Sequence, residues 1–492
     1  MLLFGAALIG LAEPILALFR FVPLTYNEGW NAFWADAAMS HGALYGASNP
    51  LVANNYPPLS FDLIAAVGHI VGDNVIAGRL VSLASLLVLT AAAYLWLRAA
   101  GPTRQMALAG AALLLGGFAF FGSRYVAMDD PQMLAHAFML TAAVVLWRGD
   151  FSVKAVLLAA TLMMMGGFTK HLLIPLPLAA TVVIATFRRE RLVPWIACFA
   201  IGVPLGFFVT SHLHGQQFLQ DLLLPRAYSP ERAVRTTIHV CARFLPLIAL
   251  SAIPLVRRLR TRAGAPLGTH EWFAVFYVLL SIVIGGIASG GDGVTRNAFF
   301  DLLIATSLGA AIGLHAWQSG APRLSPARSP AAATQTVAFI GAAMALYSAV
   351  SLPDDLSRIR ELDALEKDTQ NTVQMIARLG NGRAACETLS LCYWARGAFT
   401  LDFFSYGQKL KTGAVPLGAC TSALKRGAFP VVQLDPREAR FGYRLESCAP
   451  AIGQFYKVAY RSRVATLYVP KDSSPERDAS ATLLANATDL AP

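Results

Sequence analysis

Eleven apolar runs, each close to the length that crosses a bilayer, constrain this chain more than any other feature. A helix of about 20 apolar residues spans the roughly 30 Å hydrocarbon core of a membrane. The runs lie at about 1–19, 76–97, 105–121, 132–147, 155–169, 172–187, 193–211, 239–256, 271–289, 298–317 and 332–352. Only 14% of the residues are charged, against about 25% in soluble domains. The chain is therefore predicted to be a polytopic α-helical membrane protein with about 11 transmembrane helices, and its composition argues against a soluble enzyme or a nucleic-acid-binding domain.

Basic residues between the runs predict which side of the membrane each loop faces. With the N-terminus in the cytoplasm, the inner loops carry 13 Lys and Arg residues and the longer outer loops carry 8. Since Lys and Arg concentrate in cytoplasmic loops, we expect a cytoplasmic N-terminus and an extracytoplasmic C-terminus. Nine of the 14 acidic residues in 1–352 lie on the outer side. Carboxylates near a bilayer are costly and often functional. Longer outer loops that are more exposed to water would also account for the excess of acidic residues on that side.

A change of composition after the last apolar run predicts a separate extramembrane domain. The predicted divisions are a membrane module at 1–352, a small extracytoplasmic α/β domain at 353–470 and a disordered tail at 471–492. An amphipathic pattern predicts a helix from Leu356 to Leu379, ending at Gly380. Short strand-like runs follow at Ala384–Trp394, Pro430–Leu434 and Tyr456–Val469.

Four of the six cysteines fall in the extramembrane domain: Cys386, Cys392, Cys420 and Cys448. An even number of cysteines in a small domain outside the membrane predicts disulfides. We expect Cys386–Cys392 and Cys420–Cys448 among the three pairings, and four buried reduced thiols are the alternative. Their spacing does not resemble a zinc ribbon.

The first outer loop, 21–74, contains no Lys or Arg and has a distinctive sequence. Residues 29–40 and 59–71 are predicted to form helices along the membrane interface. Glu28 lies just past the outer end of the first run, where partial shielding from water raises a carboxylate pKa and makes it a better base. We therefore predict that Glu28 is the catalytic base. The alternative is a charge that only stabilises the start of a helix.

Several segments of the membrane module form a recognisable set: Asn27-Glu28-Gly29, Tyr56-Pro57-Pro58-Leu59, Ala77-Gly78-Arg79-Leu80, the outer segments 123–131 and 166–171, and 290–297. Together, over about residues 20–310, they resemble the GT-C glycosyltransferases, which include the protein O-mannosyltransferases and the aminoarabinose transferases of lipid A. The resemblance implies a GT-C-like fold whose first outer loop carries an essential acidic residue, often within an Asp-Glu pair. Here Asn27 stands in place of the first acid, and Glu28 is the position that carries over.

The resemblance implies an inverting hexosyl- or pentosyltransferase at the outer face of the cytoplasmic membrane. It would move a sugar from a polyprenyl-phosphate donor to a hydroxyl of a glycan, lipid or protein acceptor. The candidate catalytic residues are Glu28, Asp129 and Asp130. Arg and Lys suit the donor phosphate, and the candidates are Lys170, Arg226, Arg232, Arg235 and Arg296. No organic cofactor is assigned, and a divalent metal ion is left open.

Each of these candidates has a simpler alternative. Asp129 and Asp130 precede a proline and could only cap a helix, Lys170 could extend toward the membrane surface, and the arginines at 226–235 could contact lipid headgroups. For the whole chain, a transporter or lipid flippase is the main alternative, although it would favour repeated halves and ionisable residues at the bilayer midplane. A receptor or assembly protein with an inactive membrane module is a third hypothesis.

Overall fold

The structure, a computed structural model, describes residues 2–40, 44–46, 51–260, 268–319, 330–416, 418–436 and 449–471. Helices occupy every predicted membrane run. Of the described helices, six are long and apolar enough to cross a membrane: Asn74–Ala99, Arg104–Phe121, Arg189–His214, Pro230–Ser251, Thr269–Ser289 and Arg296–Gln318. Apolar helices of 13 to 17 residues fill the runs at 132–147, 155–169 and 172–187.

The helices of the membrane module are α1 (Leu2–Gly10), α2 (Ala12–Leu16), α3 (Asn27–Met39), α4 (Leu59–Val71), α5 (Asn74–Ala99), α6 (Arg104–Phe121), α7 (Gln132–Arg148), α8 (Val153–Thr169), α9 (Pro175–Phe187), α10 (Leu192–His214), α11 (Phe218–Leu222), α12 (Pro230–Ser251), α13 (Ile253–Arg260), α14 (Thr269–Ser289) and α15 (Phe300–Ser319). The first predicted run is thus two short helices, broken at Leu11. The two helices predicted in the first outer loop are present as α3 and α4.

The next helix, α16 (Pro330–Gly380), covers two elements that the sequence predicted separately. The sequence predicted a span at 332–352 and a separate amphipathic helix from Leu356, whereas one helix of 51 residues runs through Pro353. A proline removes one backbone hydrogen bond and can bend a helix without ending it. The two parts of the chain are therefore joined by continuous helix.

The remaining elements form the small α/β domain: β1 (Ala384–Cys386), α17 (Leu389–Trp394), α18 (Phe403–Lys411), α19 (Ala419–Lys425), β2 (Val431–Leu434), α20 (Ala449–Phe455), β3 (Tyr456–Arg461) and β4 (Thr466–Pro470). The strand order is β1-β2-β4-β3, with β1 parallel to β2 and the other pairs antiparallel. The predicted strand at Ala384–Trp394 is wrong beyond Cys386, because the chain turns into α17. The run from Tyr456 is the β3–β4 hairpin.

Small residues let the membrane helices approach closely, as they commonly do within bilayers. A Cβ atom added at Gly110 of α6 would lie 2.9 Å from the Ala311 Cβ of α15. Helix α15 is central, and its Leu302, Leu303 and Ala305 are completely buried. By contrast, α10 presents Val193 and Phe208 with about 70% or more of their surface exposed, as expected of a helix that faces lipid.

The extramembrane domain packs directly on the first outer loop. A Cβ atom at Gly29 would lie 1.9 Å from the Ser390 backbone nitrogen, so only glycine allows α3 and α17 to meet there. The Phe33 and Phe399 rings stack at 4.9 Å, and Trp394 donates a hydrogen bond to Asp73 at 2.9 Å. These contacts fix the start of α3 beneath the domain.

The predicted disulfide between Cys386 and Cys392 is confirmed, with sulfur atoms 2.05 Å apart. It ties the end of β1 to α17, the helix that packs on α3. The second predicted pair includes Cys448, which lies outside the described residues. The two cysteines of the membrane module, Cys198 and Cys241, are free.

Candidate functional site

A cavity of about 470 Å³, which we call the central cavity, lies between the membrane module and the extramembrane domain. The start of α3, the segment before α7 and the segment before α15 form its walls. The domain contributes Asp402, Phe404 and Ser405. Six aromatic side chains line the cavity: Tyr26, Trp30, Tyr56, Phe121, Tyr125 and Phe404. This mixture of aromatic faces and polar groups suits a polyhydroxylated ligand.

Of the three predicted catalytic carboxylates, Asp130 is the one that lines the central cavity. Its carboxylate accepts a hydrogen bond from the Asn27 side chain at 3.0 Å and from the Gln132 backbone N–H at 2.9 Å. Lys170 Nζ lies 3.7 Å from Asp130 Oδ1. The other carboxylate among the cavity's described lining residues, Asp402, caps α18 by accepting from Phe404 N and Ser405 Oγ. Asp130 thus contacts the start of α7 through Oδ1, while its Oδ2 accepts from Asn27 at the cavity.

Glu28 is completely buried and does not line the described cavity. Both of its oxygens accept from the Arg79 guanidinium, at 2.7 and 2.8 Å, in a two-pronged ion pair that is itself completely buried. The Leu24 N–H donates to the same carboxylate at 2.9 Å. The geometry thus assigns Glu28 a structural contact. Its role as the base stays a prediction.

Arg79 extends this contact into the loop that follows α2. Its guanidinium donates to the backbone carbonyls of Ala17, Arg20 and Val22 at 3.1, 2.8 and 2.7 Å. The side chain therefore holds the end of the first apolar run against the start of α5. Because Glu28 lies one residue after Asn27, the same ion pair also fixes the residue that contacts Asp130.

Asp129 is also buried, and neither carboxylate oxygen has a hydrogen-bond partner among the described residues. A Cβ atom at Gly78 would lie 2.0 Å from Asp129 Oδ1, so glycine is required opposite this side chain. Burial, together with the neighbouring Glu28 and Asp130 carboxylates, raises the pKa of Asp129 well above its usual range. Its surroundings therefore favour the protonated form of the Asp129 carboxyl.

The predicted phosphate ligands separate into two sets. Lys170, Arg226 and Arg296 lie at the central cavity or at the pocket beside it. Lys170 is 6% exposed, its ammonium group lies 4.0 Å above the Tyr56 ring, and within the described chain it has no hydrogen-bond partner. A buried cation with unused donors is suited to an anionic ligand.

Arg232 and Arg235 are not brought to the cavity. Arg235 lies on the exposed face of α12, 4.0 Å from Glu231. Arg232 donates to Asp292 at 2.9 Å, and Asp292 also accepts from Gln408 and Lys411 of α18 at 2.8 and 2.5 Å. Asp292 thereby links α12 to the extramembrane domain.

The Asp292 contacts predict a pH-dependent attachment of the domain. Although partial burial opposes the shift, hydrogen bonds from Lys411, Gln408 and Arg232 lower the pKa of Asp292 to about 2. Because the folded pKa is below that of an unfolded aspartate, about 3.9, its stabilising effect is present above pH 4 and is lost as the pH falls toward 2. Asp292→Asn should therefore speed proteolytic cleavage near α18 at pH 7, and its difference from wild type should shrink below pH 4. A difference that is constant from pH 7 to pH 3 would contradict this.

A second cavity of about 320 Å³, the lysine pocket, adjoins the central cavity and shares Asn55, Tyr56 and Arg226 with it. Lys170 and Gln132 line this pocket. An apolar groove of about 410 Å³ continues from it between α8, α9 and α10, and His171 and Leu173 line both. The groove walls are almost entirely apolar, including Met163, Phe168, Ile174, Leu178, Phe199 and Phe207. A buried cation therefore lies beside the end of a groove suited to a hydrocarbon chain.

Sequence reasoning missed a polar network behind the lysine pocket. The Tyr277 hydroxyl donates to Asp301 at 2.6 Å, and Asp301 lies 4.0 Å from His136 Nδ1. The other ring nitrogen of His136 is 2.9 Å from the Gln132 amide. Polar residues inside apolar runs were the available signal, but α7 is far from α14 and α15 in the sequence.

No group of three or more His, Cys, Asp or Glu side chains within the described ranges could hold a metal ion. The described side chains therefore do not form a ready-made ligand set for a divalent metal ion.

Similarity to known proteins is found at the level of structure. No family model matches the sequence, and no curated protein matches it. Apo ArnT from Cupriavidus metallidurans superposes with a TM-score of 0.57 at 15% identity, over 94% of this chain and 97% of that one. The chain has the GT-C fold.

Two further solved structures share this fold. ArnT from the same organism bound to undecaprenyl phosphate gives a TM-score of 0.54 at 14% identity, over 95% of this chain and 98% of that one. The oligosaccharyltransferase AglB from Archaeoglobus fulgidus, in complex with an inhibitory peptide and a dolichol-phosphate, gives 0.54 at 12% identity, over 96% of this chain and 74% of that one. The resemblance to GT-C glycosyltransferases, which rests on segments within residues 20–310, is thus confirmed at the level of the fold.

Proposed function

We propose that this multi-pass membrane protein is an inverting glycosyltransferase that transfers a sugar from a polyprenyl-phosphate donor to an acceptor hydroxyl. The observation that carries the proposal is the position of the Asp130–Lys170 pair. It lies where an aromatic, polar cavity meets a pocket that continues into an apolar groove. A lipid-linked sugar needs these three environments in this order: a polar cavity, a cationic pocket and an apolar groove.

The proposed donor position follows from the chemistry of each part. The polyprenyl chain occupies the groove between α8, α9 and α10, and the phosphate lies in the lysine pocket near Lys170 and Arg226. The sugar then projects into the central cavity among the aromatic rings. The ArnT structure with undecaprenyl phosphate and the AglB structure with a dolichol-phosphate support a lipid phosphate as the ligand of this fold.

The proposed reaction breaks the bond between the anomeric carbon and a phosphate oxygen. Asp130 accepts the proton of the acceptor hydroxyl as the acceptor oxygen bonds to the anomeric carbon from the opposite face, which inverts that carbon. The electron pair of the broken bond remains on the phosphate, where Lys170 and Arg226 stabilise it. Arg296 lines the central cavity and not the lysine pocket. Glu28 and Arg79 act as positioning residues that hold Asn27 against Asp130.

The proposed location is the cytoplasmic membrane, with the N-terminus in the cytoplasm and the domain that contains α17–α20 outside. The excess of Lys and Arg in the inner loops supports this orientation. In that orientation the central cavity opens on the outer face. The transporter hypothesis is less well supported, because Asp130 and the cationic side chains gather near helix ends.

Replacing the proposed phosphate ligands should weaken donor binding selectively. A hydrogen bond to a charged group contributes about 1.5–3 kcal/mol, so Lys170→Gln or Arg226→Gln should raise the donor KM by about 10- to 100-fold. Arg235→Gln is the matched control and should change it by less than about twofold, because Arg235 is exposed beside Glu231. The measurement uses purified full-length protein and radioactive polyprenyl-phosphate sugars extracted from labelled source cells. Equal effects at all three positions would contradict the assignment.

A further inference from the structure

A third cavity, the lateral cleft, has a volume of about 550 Å³ and is not used by the donor in the proposed reaction. It lies between α2, the end of α6 and the part of α16 around residues 355–365. Thr388 and Asp435 of the extramembrane domain line it as well. The cleft is therefore bounded by both the membrane module and the domain.

The lateral cleft joins the central cavity on the side away from the lysine pocket. Thr25, Tyr26, Arg124 and Arg296 line both the cleft and the central cavity. The cleft and the lysine pocket have no lining residue in common. A ligand in the cleft can thus reach the central cavity without crossing the donor's pocket.

This arrangement matches the requirement of an in-line displacement. The leaving phosphate departs toward the lysine pocket, so the attacking hydroxyl must approach the anomeric carbon from the opposite side. The lateral cleft meets the central cavity away from that pocket, beside Tyr26 and Arg296. The cleft is accordingly the acceptor side of the reaction.

The lining of the cleft indicates the chemical class of the acceptor. Its apolar part consists of Gly10, Pro14, Ala119 and Phe120, which belong to membrane helices. On the nearby segment, Leu16 and Phe19 are 53% and 63% exposed, as expected of side chains that face lipid. A ligand that enters here can keep an apolar part in the bilayer.

The charged part of the cleft suits a hydroxyl-rich headgroup. Arg358 of α16 pairs with Glu13 at 2.7 Å and with Asp355, and Glu361 is exposed one turn further along. Carboxylates and guanidinium groups arranged around a polar opening provide acceptors and donors for sugar hydroxyls. Apolar and charged linings thus occur in one cleft, as an amphiphile requires.

We propose that the lateral cleft binds the glycan headgroup of a lipid-anchored acceptor; this inference rests on the proposed glycosyltransferase function. The hydroxyl that attacks the donor belongs to this headgroup, while its lipid remains in the membrane beside α1 and α2. A protein acceptor would need neither the apolar wall nor the lateral opening.

The test compares Glu361→Trp with Arg360→Trp in full-length protein. Both residues are exposed on α16, but only Glu361 lines the cleft, so the second variant controls for a bulky substitution. The donor is the radioactive polyprenyl-phosphate sugar pool of the source cells. The acceptor probes are the extracted glycolipids of the same envelope and, separately, its delipidated proteins.

We expect wild-type protein to label the glycolipid fraction. Glu361→Trp should raise the KM for that fraction at least 10-fold with an unchanged donor KM, and Arg360→Trp should match wild type. Label that enters only the protein fraction, or equal kinetics for the two variants, would overturn the acceptor assignment while leaving glycosyl transfer intact. Absence of any turnover by wild-type protein would instead overturn the proposed function, and the acceptor assignment with it.

Discussion

Asp130→Asn should lower kcat for sugar transfer by about 10²- to 10⁴-fold, the usual contribution of a general base. The amide has nearly the same shape as the carboxylate, and its one oxygen can still accept from the Gln132 N–H, although the hydrogen bond from Asn27 is lost. It cannot take the proton of the attacking hydroxyl. The fold should be retained because the Glu28–Arg79 pair is untouched. Donor binding should be unchanged or tighter, since Lys170 loses the negative charge 3.7 Å away.

The cavity offers a matched control for this substitution. Asp402 also lines the central cavity, but its carboxylate caps α18, and asparagine caps helices about as well as aspartate. Asp402→Asn should therefore leave kcat within about threefold of wild type. Single-turnover rates with saturating donor, measured for both variants, separate the chemical step from binding. A normal single-turnover rate for Asp130→Asn would exclude Asp130 as the base.

Glu28→Ala should destabilise the protein by about 3–5 kcal/mol, the usual cost of removing one member of a buried ion pair. The Arg79 guanidinium would remain completely buried without its counter-charge, and the Leu24 N–H would lose its acceptor. The expected readout is a large fall in the thermal unfolding temperature of the purified protein and in its amount in the membrane. Glu231→Ala, which removes half of an exposed pair with Arg235, should change stability by at most about 1 kcal/mol.

Glu28→Gln distinguishes a positioning residue from a base. If Glu28 only holds Asn27 and the loop after α2, the Gln variant should lose stability, and whatever protein folds should transfer sugar at a rate close to that of wild type. The comparison requires equal amounts of folded protein in each assay. A Gln variant of normal stability whose single-turnover rate falls by 100-fold or more would return the role of base to Glu28.

The sequence was most informative where a local pattern of residues decides the structure. Apolar runs predicted the membrane helices because lipid requires a continuous apolar segment with internally satisfied backbone. The helices α3 and α4, the extended chain over Tyr456–Val469 and the Cys386–Cys392 disulfide were also predicted from local signals. The error at Ala384–Trp394 arose because apolar residues over a short run fit a strand and a buried helix equally well.

Tertiary packing gives Glu28 and Asp130 different surroundings that the local sequence does not reveal. Glu28 and Asp130 are both carboxylates near the outer ends of helices, and no local pattern distinguishes them. Arg79 lies 51 positions beyond Glu28, and only the packing of α5 against α3 brings the two together. Likewise, the contribution of Phe404 to the cavity depends on how the extramembrane domain sits on the membrane module.

The most direct test of the proposed glycosyltransferase activity is mass spectrometry of the envelope glycans and of the polyprenyl-phosphate sugar pool in the source organism. A deletion strain would be complemented with wild-type protein or with Asp130→Asn at matched membrane levels. We expect that one sugar is absent from the glycans of the deletion and Asp130→Asn strains, and that its polyprenyl-phosphate form accumulates in both. A complete glycan profile with a normal carrier pool in the Asp130→Asn strain would contradict the proposed role of Asp130 in sugar transfer.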